Sequence, residues 1–201
     1  MMLSFVPRGP GADEPDTATL VARLVRGDRA TLAALYRREA PAVYRYALAM
    51  CGNTAWAADA TQDAFMAFAA QPHGYDAQRG SLGAYLAGAA RHALLAQWRQ
   101  QRQHVSIDDD DHGGEAPFPA GDEATPETLL VREQDTQALW GALRRLPVTF
   151  REAVVLVDLQ ERPYAEAARI AGIELNTLRT RLHRARIRLA ELLGGALGAL
   201  S

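Results

Sequence analysis

The sequence contains no lysine: all 22 of its basic residues are arginine, a bias that genome composition alone can produce and that assigns no function by itself. It has one cysteine, Cys51, so an internal disulfide framework is excluded. No apolar run approaches the length needed to cross a bilayer. The opening MMLSFVPRGPGADEPD has a five-residue apolar start and then Pro, Gly and acids, too short for a signal peptide, and reads as a tail on a cytoplasmic protein. Strand signals are nearly absent. So are a nucleophile–base constellation, a Walker loop and a metal-spaced Cys/His set, and the five histidines are scattered. No enzyme chemistry, cofactor or small-molecule substrate is expected.

What is present is a hydrophobic fraction of 48%, ample for a packed core, and a strongly uneven charge. The net charge of −2 is an average over three segments. Residues 1–103 hold 11 Arg against 8 acids, residues 104–138 hold 1 against 10, and residues 139–201 hold 10 against 6. Two basic segments flank an acidic one.

Ala, Leu, Arg and Glu at a 3.6-residue period run through most of the chain, which predicts an all-α fold. A first helix starts after Asp16 or Thr17, buries Leu20, Val21 and Leu24, and ends at Gly27. A second starts at Asp28, and Pro41 should kink or interrupt it. A third runs from about Ala55 to Ala70. A fourth, capped by Ser81, reaches about Gln103. From His104 to Thr125 the period disappears into HVSIDDDDHGGEAPFPAGDEAT, an acidic, Gly- and Pro-rich linker. Thr125–Pro126 signals a new helix start, followed by helices to about Leu146, from Pro147, over Tyr164–Ala171, and from Glu174 to about Leu193. The expected layout is a tail (1–15), a helical domain (16–103), a flexible acidic linker (104–125) and a second helical domain (126–201). The acidic linker could fold over the basic faces or serve as a solvated tether.

The second domain carries the spacing of a helix–turn–helix in PYAEAARIAGIELNTLRTRLHRAR, Pro163 to Arg186. Small Ala167 and Ala168 permit close helix packing, Gly172 makes the turn, and Ile173 plugs the space between the helices. In such units the second helix enters the DNA major groove. At about 100° per residue, Leu178, Leu182, Ala185, Leu189 and Leu192 form the buried stripe. Asn176, Thr180, His183 and Ile187 lie opposite, with Arg184 to one side. Arg179 and Arg186 flank one edge, Arg181 and Arg188 the other. Central residues near the helix start are placed for bases and the flanking ones for phosphates. The DNA-facing set is Asn176, Thr177, Arg179, Thr180, Arg181, His183, Arg184 and Arg186, with Arg188 assigned to phosphates or packing.

These stretches together resemble the extracytoplasmic-function sigma factors, the minimal two-domain branch of the sigma-70 family. LVARLVRGDRATLAALYRREAPAVYRYA is similar to the family's opening helices. AADATQDAFMAFA and YDAQRGSLGAYLAGAARH resemble the region that binds core RNA polymerase and the −10 element. LRRLPVTFREAVVLVDLQERPYAEAARIAGIELNTLRTRLHRAR resembles the region that reads the −35 element. The resemblance implies a transcription initiation factor whose partners are core RNA polymerase, double- and single-stranded promoter DNA and, in many members, an anti-sigma factor. Asp59, Gln62 and Asp63, on one helix face, are then the main polymerase-docking residues, with Phe65 and Met66 beside them and Phe65 expected to pack inward in part. Tyr75, Arg79, Ser81, Tyr85, Arg91, His92, Trp98 and Arg99 supply the aromatic and cationic mixture that trapping unpaired −10 bases requires. Arg179, Thr180, His183 and Arg184 become the main −35 contacts. Four positions depart from the family pattern: His92 stands where an asparagine is usual, Ala96 where an acid is common, and Glu174 and Asn176 at a usually small or polar helix start.

A helix–turn–helix regulator with an N-terminal ligand-binding or dimerisation domain is the competing reading. The Asp59/Gln62/Asp63 face, which such a regulator does not need, separates the two.

Overall fold

The computed structural model of the chain describes residues 15–105 and 130–198, and every regular element among them is helical. The tail, the acidic stretch beyond Val105 and the Thr125–Pro126 helix start lie outside the described residues. Among the described residues, no helix is long and apolar enough to cross a membrane.

Helix α1 (Thr17–Val25) starts where the carboxylate of Asp16 accepts the Thr19 N–H at 2.7 Å, and it buries Leu20, Val21 and Leu24 as the spacing predicts. Helix α2 (Thr31–Cys51) begins three residues beyond Asp28. The Asp28 side chain accepts the Ala30 N–H, and its carbonyl accepts the Thr31 hydroxyl, so this acid builds a turn before the helix. Pro41 does not interrupt α2. Buried Leu35 and Ala40 on one side of it and Val43, Tyr46 and Ala47 on the other hold both halves of the helix to the core, offsetting the lost hydrogen bond. Gly52, at φ +67°, ends α2, and Asn53 caps α3 (Thr54–Ala70) by accepting the Trp56 N–H at 2.9 Å. Ser81 caps α4 (Leu82–Val105), its hydroxyl accepting the Ala84 N–H. Helices α2, α3 and α4 pack on one another, and α1 lies against α2.

The C-terminal set comprises α5 (Leu130–Arg144), α6 (Val148–Val154), α7 (Tyr164–Ala171) and α8 (Leu175–Gly198). Helix α6 runs into a widened π turn at Val155–Leu159, closed by the Gln160 N–H on the Val155 carbonyl at 3.0 Å. The periodicity does not report this turn, because an apolar run such as AVVLV reads the same in either helical form. Glu161 then takes a left-handed conformation, φ +52°, before Pro163 starts α7.

The two helical sets are closed upon each other, an arrangement the sequence reading did not include. Helix α4 packs along α7, and α2 meets α6 and the π turn. Two adjacent charged residues of α6, Arg151 and Glu152, are only 1% and 3% exposed. The Arg151 guanidinium donates to the carbonyls of Leu143, Arg144 and Leu146 at the end of α5, and at 2.7 Å to Met50 at the end of α2. Carbonyls left open at helix C-termini carry partial negative charge, so a buried guanidinium suits them. We expect Arg151→Ala, which strips donors from these carbonyls, to lower unfolding stability by about 3 kcal/mol or more. Exposed Arg145→Ala should stay within about 0.5 kcal/mol of the parent, with urea unfolding as the measurement.

Candidate nucleic-acid interface

Helix α8 owes its placement to the preceding turn. Gly172, at φ +66°, ends α7, and the Ile173 N–H reaches back to the Ala168 carbonyl at 3.0 Å. Ala167 and Ala168 are buried, and so are Leu178, Leu182, Ala185 and Leu192, with Leu189 half-buried on the same stripe. Asn176, Thr177, Arg179, Thr180, His183, Arg184, Arg186 and Ile187 are exposed, as angular sorting predicts, while Arg181 is half-buried.

The exposed residues divide between two hollows on either side of the helix. Arg179, His183 and Arg186 meet Tyr164 in one, and Asn176, Thr177, Thr180, Arg181 and Arg184 meet Phe150 in the other. The exposed Thr180 hydroxyl donates to the Asn176 carbonyl one turn back, at 3.0 Å. Arg186 is engaged: Asp158 of the π turn holds its guanidinium at 2.5 and 3.1 Å, and this hydrogen bond raises its pKa further above the ordinary arginine value. Arg188 pairs with Glu191 at 2.9 Å. Arg181 and Arg184 have no ion pair among the described residues. Glu174 is exposed, and its carbonyl receives the Leu178 N–H at the start of α8.

On α4 and the loop before it, Tyr75, Arg79, Ser81, Tyr85 and His92 line a single cleft of about 500 Å³. Tyr75 and Tyr85 pack edge-on, their ring centroids 5.8 Å apart, over buried Phe68, and Tyr75 donates to the Gly80 carbonyl. Burial pushes the Tyr75 phenol upward, with nearby Glu39 adding to it, so it remains a hydrogen-bond donor at neutral pH. Three expected members of this set, Trp98, Arg91 and Arg99, do not line the cleft. Trp98 is 7% exposed and belongs to the core, because α4 turns that face onto α2 and α6. Arg91 is half-buried and donates to Glu152 at 2.7 Å, away from the cleft. Arg99 is exposed, its Nε on the Leu95 carbonyl.

On α3, Asp59, Gln62 and Asp63 are exposed and line a hollow with Ala96, Gln97 and Gln100 of α4. Phe65 departs from expectation: it is 4% exposed, packed on Tyr36 at 4.7 Å. Met66, 62% exposed and seven residues from Asp59, takes the apolar place on that face.

The sequence reading missed the seam beside this interface. The Glu152 carboxylate accepts the Tyr46 hydroxyl at 2.9 Å as well as Arg91. Burial, and then this carboxylate, push the Tyr46 phenol well above its ordinary value and keep it a donor. Gln160 donates to the Ala42 carbonyl at 2.9 Å, and Ser81 donates to Glu166 at 3.0 Å. Burial raises the Glu39 carboxyl, with Arg38 and Arg162 opposing. The signal for Glu152 was a charged residue leading into the apolar run AVVLV, where a carboxylate needs partners. Among the described residues, no group of three or more His, Cys, Asp or Glu side chains is placed to hold a metal.

Two family models match the chain: sigma-70 region 2 over residues 35–104 and sigma-70 region 4 over residues 136–189. Similar curated proteins include the ECF RNA polymerase sigma factor SigM of Mycobacterium tuberculosis, 34% identical over 92% of this chain and 88% of its own. SigM of Bacillus subtilis is 30% identical over 81% of this chain and 94% of its own. Among solved structures, the sigma factor RpoE in complex with the anti-sigma factor NepR from Bartonella quintana superposes with a TM-score of 0.62 at 27% identity, covering 81% of this chain and 96% of that one.

The contrast between Phe65 and Met66 is directly measurable. Phe65→Ala should cost about 3–5 kcal/mol of stability through the cavity it leaves. Met66→Ala should change stability by less than about 0.5 kcal/mol while weakening capture of core RNA polymerase in a pull-down.

Proposed function

The chain belongs to the extracytoplasmic-function branch of the sigma-70 family of transcription initiation factors, and on that premise we propose which of its residues do which part of the work. A factor of this kind binds core RNA polymerase, directs it to promoters through their −35 and −10 elements, and promotes DNA melting. The observation that carries the reading is the match to regions 2 and 4 in that order, each over a stretch with its own exposed polar set.

In the proposed division of labour, residues 16–103 dock on polymerase and take the −10 strand, residues 126–201 read the −35 duplex, and residues 104–125 tether them. Asp59, Gln62 and Asp63 form the polymerase face, with Met66 as its apolar contact. Tyr75, Tyr85, Arg79 and His92 hold an unpaired −10 base, the tyrosine rings by stacking, Arg79 by attraction to the strand and His92 by hydrogen bonding. His92 in place of an asparagine gives this chain a ring with one donor and one acceptor when neutral, and hence its own −10 preference. Arg184 and His183 meet base edges, and Arg179 and Arg181 meet phosphates. An anti-sigma partner, such as the one in the NepR complex, fits the same reading.

The test is transcription by purified core polymerase and this protein on genomic DNA of its own organism, with start sites mapped. Transcripts starting downstream of one shared pair of motifs are expected. Tight duplex binding by the protein alone, with no polymerase-dependent transcript, would refute the reading. Arg184→Ala should lose about 1–3 kcal/mol of −35 discrimination. Asp158→Asn should free Arg186, raising non-specific duplex affinity and steepening its salt dependence by about one counterion. Both are read from binding isotherms at several salt concentrations.

A further inference from the structure

The tyrosine-lined cleft of about 500 Å³ has a wall from α7, made by Arg169 and Ile170. Ile170 is buried, whereas Arg169 is exposed and reaches over the loop at Gly80, where a β-carbon would sit 2.5 Å from Nη1. Glycine at this position, with φ +150°, is what lets the guanidinium lie there. Arg79 lines the same space from the loop. The Arg169 Nε is held on the Ala165 carbonyl at 3.3 Å, and neither guanidinium forms an ion pair among the described residues. Two unpaired cations on one small cleft repel each other, and an anion held by both reverses that cost.

The rest of the lining suits a nucleobase and its sugar. Tyr75 and Tyr85 are half-buried and edge-on to each other, so they offer ring surface on which a base stacks. His92 and Ser81 bring polar groups to the edge. Asp76 also lines the cleft, and one of its carboxylate oxygens takes the Gln78 N–H at 2.9 Å. The other has no hydrogen bond among the described residues and is open to a ribose hydroxyl.

Gly88 keeps this space open. It lies inside α4 and lines the cleft, yet a β-carbon there would meet nothing within 4 Å. Packing does not require glycine at this position, and glycine inside a helix is destabilising relative to alanine. What it preserves is volume, within the roughly 300–1,000 Å³ that small-molecule sites occupy.

Charge selects the ligand further. One terminal phosphate carries about −1.5 to −2 at neutral pH, which two guanidiniums balance. A longer phosphate chain would add charge that Asp76 repels.

We propose that the free chain binds a nucleoside 5′-monophosphate in this cleft, its base on Tyr75 and Tyr85, its phosphate on Arg79 and Arg169, and its ribose toward Asp76. Such a ligand competes with the −10 strand for the two tyrosines. That competition rests on the sigma-factor reading, while the site itself does not.

The test is calorimetric titration of the full chain, without polymerase or DNA, with AMP, GMP, CMP and UMP. At least one should bind one-to-one with a Kd below about 1 mM. Its nucleoside and inorganic phosphate should each bind about tenfold more weakly or worse, as should the parent's ligand to Arg169→Gln or Arg79→Gln. The corresponding triphosphate should bind no more tightly than the monophosphate. Gly88→Leu, which fills the cleft, should abolish binding with an unfolding temperature equal to or above the parent's. Arg145→Gln, which removes an exposed charge elsewhere, should bind as the parent does.

Affinity that rises with the number of phosphates overturns the site, because that is the behaviour of a diffuse basic surface. So does a best monophosphate no tighter than inorganic phosphate, or folded Gly88→Leu and Arg169→Gln proteins that bind like the parent. Circular dichroism identifies a variant that fails to fold, and the other then decides. Displacement of a labelled single strand by the bound monophosphate tests the competition separately. Binding that is lost in Gly88→Leu but leaves the strand in place upholds the site and removes the cleft from the −10 reading instead.

Discussion

Two neighbouring residues of α6 with opposite charge are both buried, and the arrangement of the molecule follows from how each is satisfied. Arg151 reaches the carbonyl ends of α5 and α2, and Glu152 reaches Tyr46 and Arg91. Neither charge could stay in a low-dielectric interior without those partners. Arg151 therefore fixes α6 against α5 inside the C-terminal set while gripping α2 of the other. Among the described residues, the side-chain partners of Glu152 lie across the seam. One residue ties the helix–turn–helix together and the next ties it to the helices that carry the tyrosine-lined cleft.

The same geometry explains why the arginines of α8 are unequal. Their side chains leave one helix at 100° intervals, and what surrounds each direction decides its availability. Arg186 points at the π turn, whose extra residue brings Asp158 within hydrogen-bonding distance. Arg188 finds Glu191 one turn on. Arg184 has no ion pair among the described residues and stays exposed. A basic helix on a nearly neutral protein thus presents a narrower unpaired basic surface, with some of its charge already balanced internally.

Much of the fold was legible because its signals are local. Asp16 and Ser81 cap helices through their own side chains, Gly172 supplies a left-handed turn, and the leucine stripe of α8 faces inward as its period demands. The misreadings arise where the outcome depends on what lies across a gap. The alanine-rich α3 offers little contrast between faces, so neither burial of Phe65 nor exposure of Met66 could be read from period alone. Trp98 and Arg91 were assigned to DNA from composition, but the C-terminal set lies against that side of α4. Periodicity says which face is covered and is silent on what covers it.

The central claim is that one chain serves two promoter elements, the −35 duplex through α8 and the −10 strand through the tyrosine-lined cleft. Photo-crosslinkers at Thr180 on α8 and at Arg79 in the cleft, mapped on one promoter fragment bound by the reconstituted polymerase, test it most directly. The account predicts crosslinks roughly 25 base pairs, about 85 Å, apart on the same DNA molecule. Crosslinks confined to about 12 base pairs, the width of the closed protein, would contradict it.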